Sequence, residues 1–220
     1  MTASLSREGD VFILNLGDTE NRFNFDSVGQ LGSLLDTVDA AEGPKALVTV
    51  GTGKFWSNGL DLDWMLAESI DLRALVVPVQ ELFARILEAS YPTVAAIQGH
   101  CYAAGAMLAL AHDARLMRSD RGFLCFPEVD ITMTFTAGME SLLTSKLTPQ
   151  TAHQAMVLGR RFTAPDALAA GILDAVATED ALLPDAVAYA ASLAGKDAAT
   201  IGAIKRSLYG STLQLLRTAP

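Results

Sequence analysis

Two carboxylates stand in an otherwise apolar run: Glu128 and Asp130 in "GFLCFPEVDITM", residues 122–133. Ionised side chains are rarely buried without a partner, because giving up water is costly. A turn that carries both acids to solvent is one explanation. The other is chemistry: a partly desolvated carboxylate has a raised pKa and works as a base near neutral pH. Two further segments offer hydrogen-bond donors. In "GTGKFWSNGLDLDWM" (51–65) a strand ends at Val50 and Gly51, Gly53 and Gly59 lead into a helical stretch. In "GHCYAAGAMLALAHD" (99–113) a strand ends near Gln98, and Ala103, Ala104, Gly105 and Ala106 open an apolar helix. Small residues at strand-to-helix turns let a ligand lie against free N–H groups. Either segment alone reads as an ordinary loop or as tight helix packing. Together they supply the two converging donors that an oxyanion hole requires. The first segment matches neither the phosphate loop G-x-x-x-x-G-K-[ST] nor the dinucleotide fingerprint G-x-G-x-x-G.

Other reactive side chains read as structural. His100 lies beside the second turn without an evident nucleophile. His112 and Asp113 end the short helix, and Asp113 is placed to satisfy backbone groups. Cys101 follows His100, but adjacent side chains diverge. No His/Cys/Asp/Glu spacing suggests a metal site. Lys54, Lys205 and Arg206 are candidates for meeting an anionic ligand, with exposed lysine the plainer reading of Lys54. Trp56, Leu60, Leu62, Trp64 and Met65 are candidates for an apolar tunnel wall.

The elements that must position these residues alternate between strand and helix. Strands are expected over 10–17, 45–51 and 92–99, with shorter ones over 114–119, 122–126 and 172–177. Helices are expected over 26–40, with Asp26 as N-cap, and over 72–89, with mostly helical chain from 137 onward. This pattern predicts an α/β fold with helices packed on sheets.

The 220 residues are half hydrophobic, enough to bury a sizeable core. A net charge of -9 speaks against a nucleic-acid partner, which usually meets a basic surface. Two cysteines make a disulfide framework unlike this chain and fit a reducing compartment. The N-terminal "MTASLSREGDVFILNLGD" resembles neither a secretory signal nor a membrane span. The expectation is a soluble cytoplasmic protein that uses no membrane.

"FWSNGLDLDWM" and "PTVAAIQGHCYAAGAMLALAHDARLMRSDRGFLCFPEVDI" resemble the two oxyanion-hole segments of the crotonase (enoyl-CoA hydratase/isomerase) superfamily. The resemblance covers most of residues 10 to 178 and is sharpest over 92–131. Within the family, "KFWSNGLDL", "AAGAMLALAHD", "LMRSDRG" and "PEVDI" are most similar to Δ3,Δ2-enoyl-CoA isomerases. The resemblance implies a spiral of ββα units forming two roughly perpendicular sheets. It implies a crotonase-like core over 1–178 and a C-terminal helical region over 179–220, shorter than is usual in the family. It also implies a homotrimer or dimer of trimers, and coenzyme A only as the thioester of an acyl substrate, with no further cofactor.

Carried over residue by residue, the oxyanion N–H groups fall on Leu60 and Ala104. Ser57, Asn58, Gly59, Asp61, Gly105 and Met107 fall at substrate-binding positions. Of the two hydratase glutamates, one position holds Met107 and the other holds Glu128. The stretch "VDITMTFTAGME" lacks the early glycines of the hydratase pattern. A single base with an oxyanion hole suits a double-bond shift from 3-enoyl to trans-2-enoyl thioester. Alternatives left open are a hydratase or another crotonase-type lyase or hydrolase, and a non-catalytic acyl-CoA-binding protein. In this reading the apolar neighbours Phe123, Leu124, Phe126, Val129 and Ile131 keep the proton affinity of Glu128 high, and Asp130 is structural or faces solvent.

Overall fold

A computed structural model describes residues 1–218. Among the described residues, nine strands form two sheets. The larger has six strands in the order β1 (Ser4–Glu8), β2 (Val11–Asn15), β3 (Ala46–Val50), β5 (Thr93–Ile97), β7 (Ala114–Arg118) and β9 (Ala175–Ala177). The smaller consists of β4 (Phe55–Ser57), β6 (His100–Tyr102) and β8 (Leu124–Cys125). Every pairing is parallel except β1 with β2.

The chain visits the two sheets in turn. A long strand in the large sheet is followed by a short strand in the small one, then by helix. β3 and β4 lead to α2 (Leu62–Ala67) and α3 (Leu72–Glu88). β5 and β6 lead to α4 (Ala104–Ala111), and β7 and β8 lead to α5 (Ala137–Lys146). This is a mixed α/β fold of repeated ββα units.

Both faces of the large sheet are covered, so β3, β5 and β7 are buried throughout, and β3 and β5 read as nearly continuous apolar runs. Alternation sorts their side chains. Phe12, Leu14, Leu47, Ala95 and Ile97 join the main core with α1 (Phe25–Ala40), α3 and α4. Val11, Ile13, Val48, Val94 and Ala96 meet Leu182, Ala186 and Ala190 of α8 (Glu179–Leu193) on the other face. Helix α9 (Ala198–Leu216) adds Leu213 and Leu216 to the main core. Residues from 179 onward therefore contribute to both apolar clusters.

Several boundaries differ from the sequence expectation. Helix α1 is capped by Asn24, not Asp26. The Asn24 side chain accepts from Ser27 N at 3.0 Å, and the Ser27 hydroxyl accepts from Asn24 N at 2.9 Å. This reciprocal capping box needs residues three apart, which 24 and 27 satisfy. Strand β1 lies outside the expected elements. It is an exposed polar edge strand, held by backbone pairing with β2 rather than by burial. Strands β4 and β6, three residues each, stand where loop and helix were expected. The strand expected over 172–177 shortens to Ala175–Ala177.

Candidate active site

The small sheet aims its strand ends at one place. After β4 the chain turns through Asn58, Gly59 and Leu60. After β6 it turns at Ala103 into α4. The two turns touch: a Cβ added to Gly59 would lie 2.9 Å from Ala103 Cβ and 3.2 Å from Ala104 N. Gly59 has φ +80°, which favours glycine on backbone grounds as well. Gly105 brings α4 equally close to β4, since a Cβ there would lie 2.6 Å from Ser57 Cβ.

Ala103 has φ 51° and ψ -128°, a strained conformation for a residue with a Cβ. That twist sends the chain from β6 directly into α4, so Ala104 N–H is the first free donor of the helix. Neither Leu60 N–H nor Ala104 N–H has an acceptor among the described residues. The N-terminal end of α4 also carries the positive end of the helix dipole. At its other end Arg115 donates to His112 O at 2.8 Å and Lys146 to the same oxygen at 3.2 Å. Cations thus meet the carbonyl end of the helix whose amide end faces the cavity.

Segment 20–24 holds the first turn in register. Phe23 N donates to Gly59 O at 2.8 Å and Asp61 N donates to Phe23 O at 2.9 Å. Leu60 N–H lies between these two bonds and points away from them. Asp61 caps α2 by accepting from Trp64 N at 3.3 Å. The Ser57 hydroxyl, fully buried, donates to Asn21 O at 2.7 Å and accepts from Gly59 N at 3.2 Å.

A cavity of about 310 Å³ opens at these turns. Asn58, Leu60, Ala104, Met107 and Glu128 all line it. Ser57, Gly59, Asp61 and Gly105 do not. They lie behind the wall, where they set the shape and packing of the two turns. Of the apolar residues expected as tunnel wall, Leu60 and Leu62 line the cavity, whereas Trp56 and Met65 pack into the core and the half-buried Trp64 packs against it. The fully buried Trp56 indole donates to Thr49 O at 3.3 Å.

Glu128 is 6 % exposed, and its Oε2 is the one buried side-chain polar atom without a hydrogen-bond partner among the described residues. Burial raises its pKa from 4.5 to about 7, partly offset by its own backbone N–H. The turn after β8 separates the two acids. Asp130 N and Ile131 N both donate to Pro127 O, and Met133 N donates to Glu128 O at 2.9 Å. This tight turn leaves Asp130 exposed and Glu128 inside.

The apolar surroundings of Glu128 differ from the sequence expectation. Leu124 and Phe126 are buried, but Phe123, Val129 and Ile131 are exposed. Ile131 still contributes to the cavity wall, together with Met107, Met133 and Met139, residues that converge only in the fold. Met107 is 1 % exposed and presents a thioether to the cavity.

The remaining candidates are accounted for elsewhere. His112 is buried between Thr49 Oγ1 at 2.9 Å and Leu108 O at 2.8 Å, and desolvation lowers its pKa to about 4. His100 Nδ1 pairs with the Tyr102 hydroxyl at 3.0 Å, and its ring stacks on Phe123. Lys205 is buried against Asp113 at 2.7 Å and so is not offered to a ligand. Asp113 also accepts from Thr93 N at 2.8 Å. Lys54 and Arg206 are exposed. Both cysteines are free and buried. No metal-ligand cluster occurs among the described residues.

Residues 9–218 match the family model described as enoyl-CoA hydratase/isomerase. The chain belongs to this family, within the crotonase superfamily. Among curated relatives, enoyl-CoA delta isomerase 3 of Arabidopsis thaliana is 34% identical over 217 residues, 94% of this chain and 91% of that protein. Peroxisomal enoyl-CoA delta isomerase 2 of the same plant is 33% identical over 219 residues, with the same coverage. Among solved structures, an enoyl-CoA hydratase/isomerase family protein from Pseudomonas syringae superposes with a TM-score of 0.92 at 25% identity. That match covers 99% of this chain and 94% of the other. An enoyl-CoA hydratase from Mycobacterium marinum gives a TM-score of 0.89 at 26% identity, covering 99% and 95%. The fold is thus shared with proteins named for either activity, and the delta isomerases are among the curated relatives most similar in sequence.

Proposed function

We propose that this protein is an acyl-CoA isomerase that moves a 3-enoyl double bond to the trans-2 position. One observation carries the reading: a single desolvated carboxylate shares an apolar cavity with two backbone donors that have no other acceptor. Glu128 takes a proton from C2 of the thioester. The negative charge moves onto the thioester oxygen, where Leu60 N–H and Ala104 N–H receive it. Glu128 then returns the proton to C4. A pKa of about 7 suits both steps, because the group must accept and release a proton near the same pH. The reaction is redox-neutral and returns its proton, so coenzyme A is required only as the substrate's carrier.

Hydration asks for more. It needs a water held and activated beside the double bond, in addition to a proton for the α-carbon. Met107 offers no acceptor able to hold that water, and this disfavours the hydratase reading. The deciding assay compares 3-hexenoyl-CoA with crotonyl-CoA on the purified protein. The expected result is isomerisation of the first that far outruns hydration of the second. Comparable rates would favour the hydratase alternative, and binding without turnover on either would favour a carrier. The same reading includes a homotrimer or dimer of trimers, which light scattering would test.

A further inference from the structure

Thr136, one of the residues lining the cavity, belongs to a buried polar contact that reaches α3 and α9. Leu72 and Val76 of α3 line the cavity one helical turn apart. Gln80 follows one turn further along the same face. It is 1 % exposed. Its Oε1 accepts the Thr136 hydroxyl, and its Nε2 donates to Leu216 O of α9 at 3.2 Å. Thr136 itself lines the cavity and caps α5 by accepting from Met139 N at 3.2 Å. One amide therefore ties α3, α5 and α9 together. Arg217, the C-cap residue of α9, pairs with Glu81 and Glu88 of α3 and fixes that end of the helix.

We propose that the Gln80–Thr136–Leu216 contact is the floor of an acyl pocket and restricts the thioester to short and medium chains. The inference rests on the acyl-thioester reading above. An alkyl chain that passes Val76 must part the Thr136–Gln80 bond and leave buried polar groups unpaired. One or two extra buried methylenes do not offset that loss. Moving Gln80 also means giving up Leu216 O, so the floor cannot shift without disturbing α9. The cavity volume, about 310 Å³, lies at the small end of the roughly 300–1,000 Å³ found for ligand pockets.

Binding of saturated acyl-CoAs, which needs no turnover, tests this by calorimetry. Wild-type protein should bind hexanoyl-CoA more tightly than hexadecanoyl-CoA. In Gln80→Ala the preference of decanoyl over hexanoyl should rise by about tenfold or more. Val76→Phe, which fills the space above the floor, should move the preference the other way, from hexanoyl toward butanoyl. If Gln80→Ala does not fold, Val76→Phe decides. A wild-type preference for hexadecanoyl-CoA, or an unchanged length profile in a folded variant, overturns the proposal. Because the readout is binding, loss of the isomerase reading would appear separately, as wild-type protein that binds thioesters without converting them.

Discussion

In the proposed reaction Glu128 sets catalysis against stability. Burial holds its pKa near 7, so its ionised form, the one that acts as base, is the form the fold disfavours. The folded-state value lies above the unfolded one. The stabilisation is therefore complete below about pH 4.5 and lost as pH rises through about 7. The two values differ by about 3 kcal/mol in proton affinity. Glu128→Gln should accordingly stabilise the protein at pH 8 relative to wild type by about 2 kcal/mol, and much less at pH 5. Thermal melts at both pH values check this. For the same reason kcat/KM should climb with pH and level off above about 7. Met107→Glu would put a second carboxylate into the same dry cavity. The pair would then titrate with a raised upper pKa, and the rising limb of the pH–rate profile should move to higher pH. A profile unmoved by Met107→Glu would show that residue 107 does not sense the base.

At the scale of elements, the site depends on how tightly two turns are pressed together. Asn21, with φ 50° and 1 % exposed, sends its Nδ2 to Gly17 O at 3.2 Å, Phe55 O at 3.2 Å and Trp56 O at 3.1 Å. It anchors β4, the strand that delivers Leu60. Asn21→Asp keeps the shape and removes the donors. It should lower kcat severalfold with a smaller effect on KM, because the Leu60 amide proposed to receive the oxyanion is misplaced while the apolar cavity wall remains. Gly105→Ala would push its Cβ into Ser57 and should destabilise by about 1–3 kcal/mol, measured by denaturant unfolding.

This scale also explains what was legible in the sequence. Leu60, Ala104, Met107 and Glu128 each sit in a short local motif, so each could be singled out through the resemblance of that motif to the crotonase family. Other parts of the cavity wall, among them Val76, Met133 and Met139, converge only through tertiary packing. Strands β4 and β6 escaped the sequence reading because three residues between glycines show no periodicity. The cap of α1 was misplaced because Asp26 is a good cap by type, whereas Asn24 has the partner three residues on.

Across the whole molecule, the C-terminal helices bear on the site from a distance. α8 covers one face of the large sheet, and α9 packs against α3 and α5, the helices that border the cavity. Lys205 of α9 reaches Asp113 at 2.7 Å and Tyr91 O at 3.2 Å from a buried position, where desolvation lowers its pKa. Lys205→Met leaves Asp113 without its cation and should cost about 2–4 kcal/mol in unfolding measurements, less than for a fully dry pair because Asp113 is partly exposed. The strand–helix alternation and the buried parallel strands were plain from the sequence, because sheets covered on both faces demand long apolar runs. The division of those strands between two sheets was not, since nothing local separates β3 from β4 except a glycine turn.

In the proposed reaction Glu128 alone moves the proton. The most direct test is the rate at which 3-hexenoyl-CoA becomes 2-hexenoyl-CoA at pH 8, in wild type and in Glu128→Gln. The account predicts a loss of about 100- to 10,000-fold in the variant, with hexanoyl-CoA binding retained. An unchanged rate in folded Glu128→Gln would contradict it.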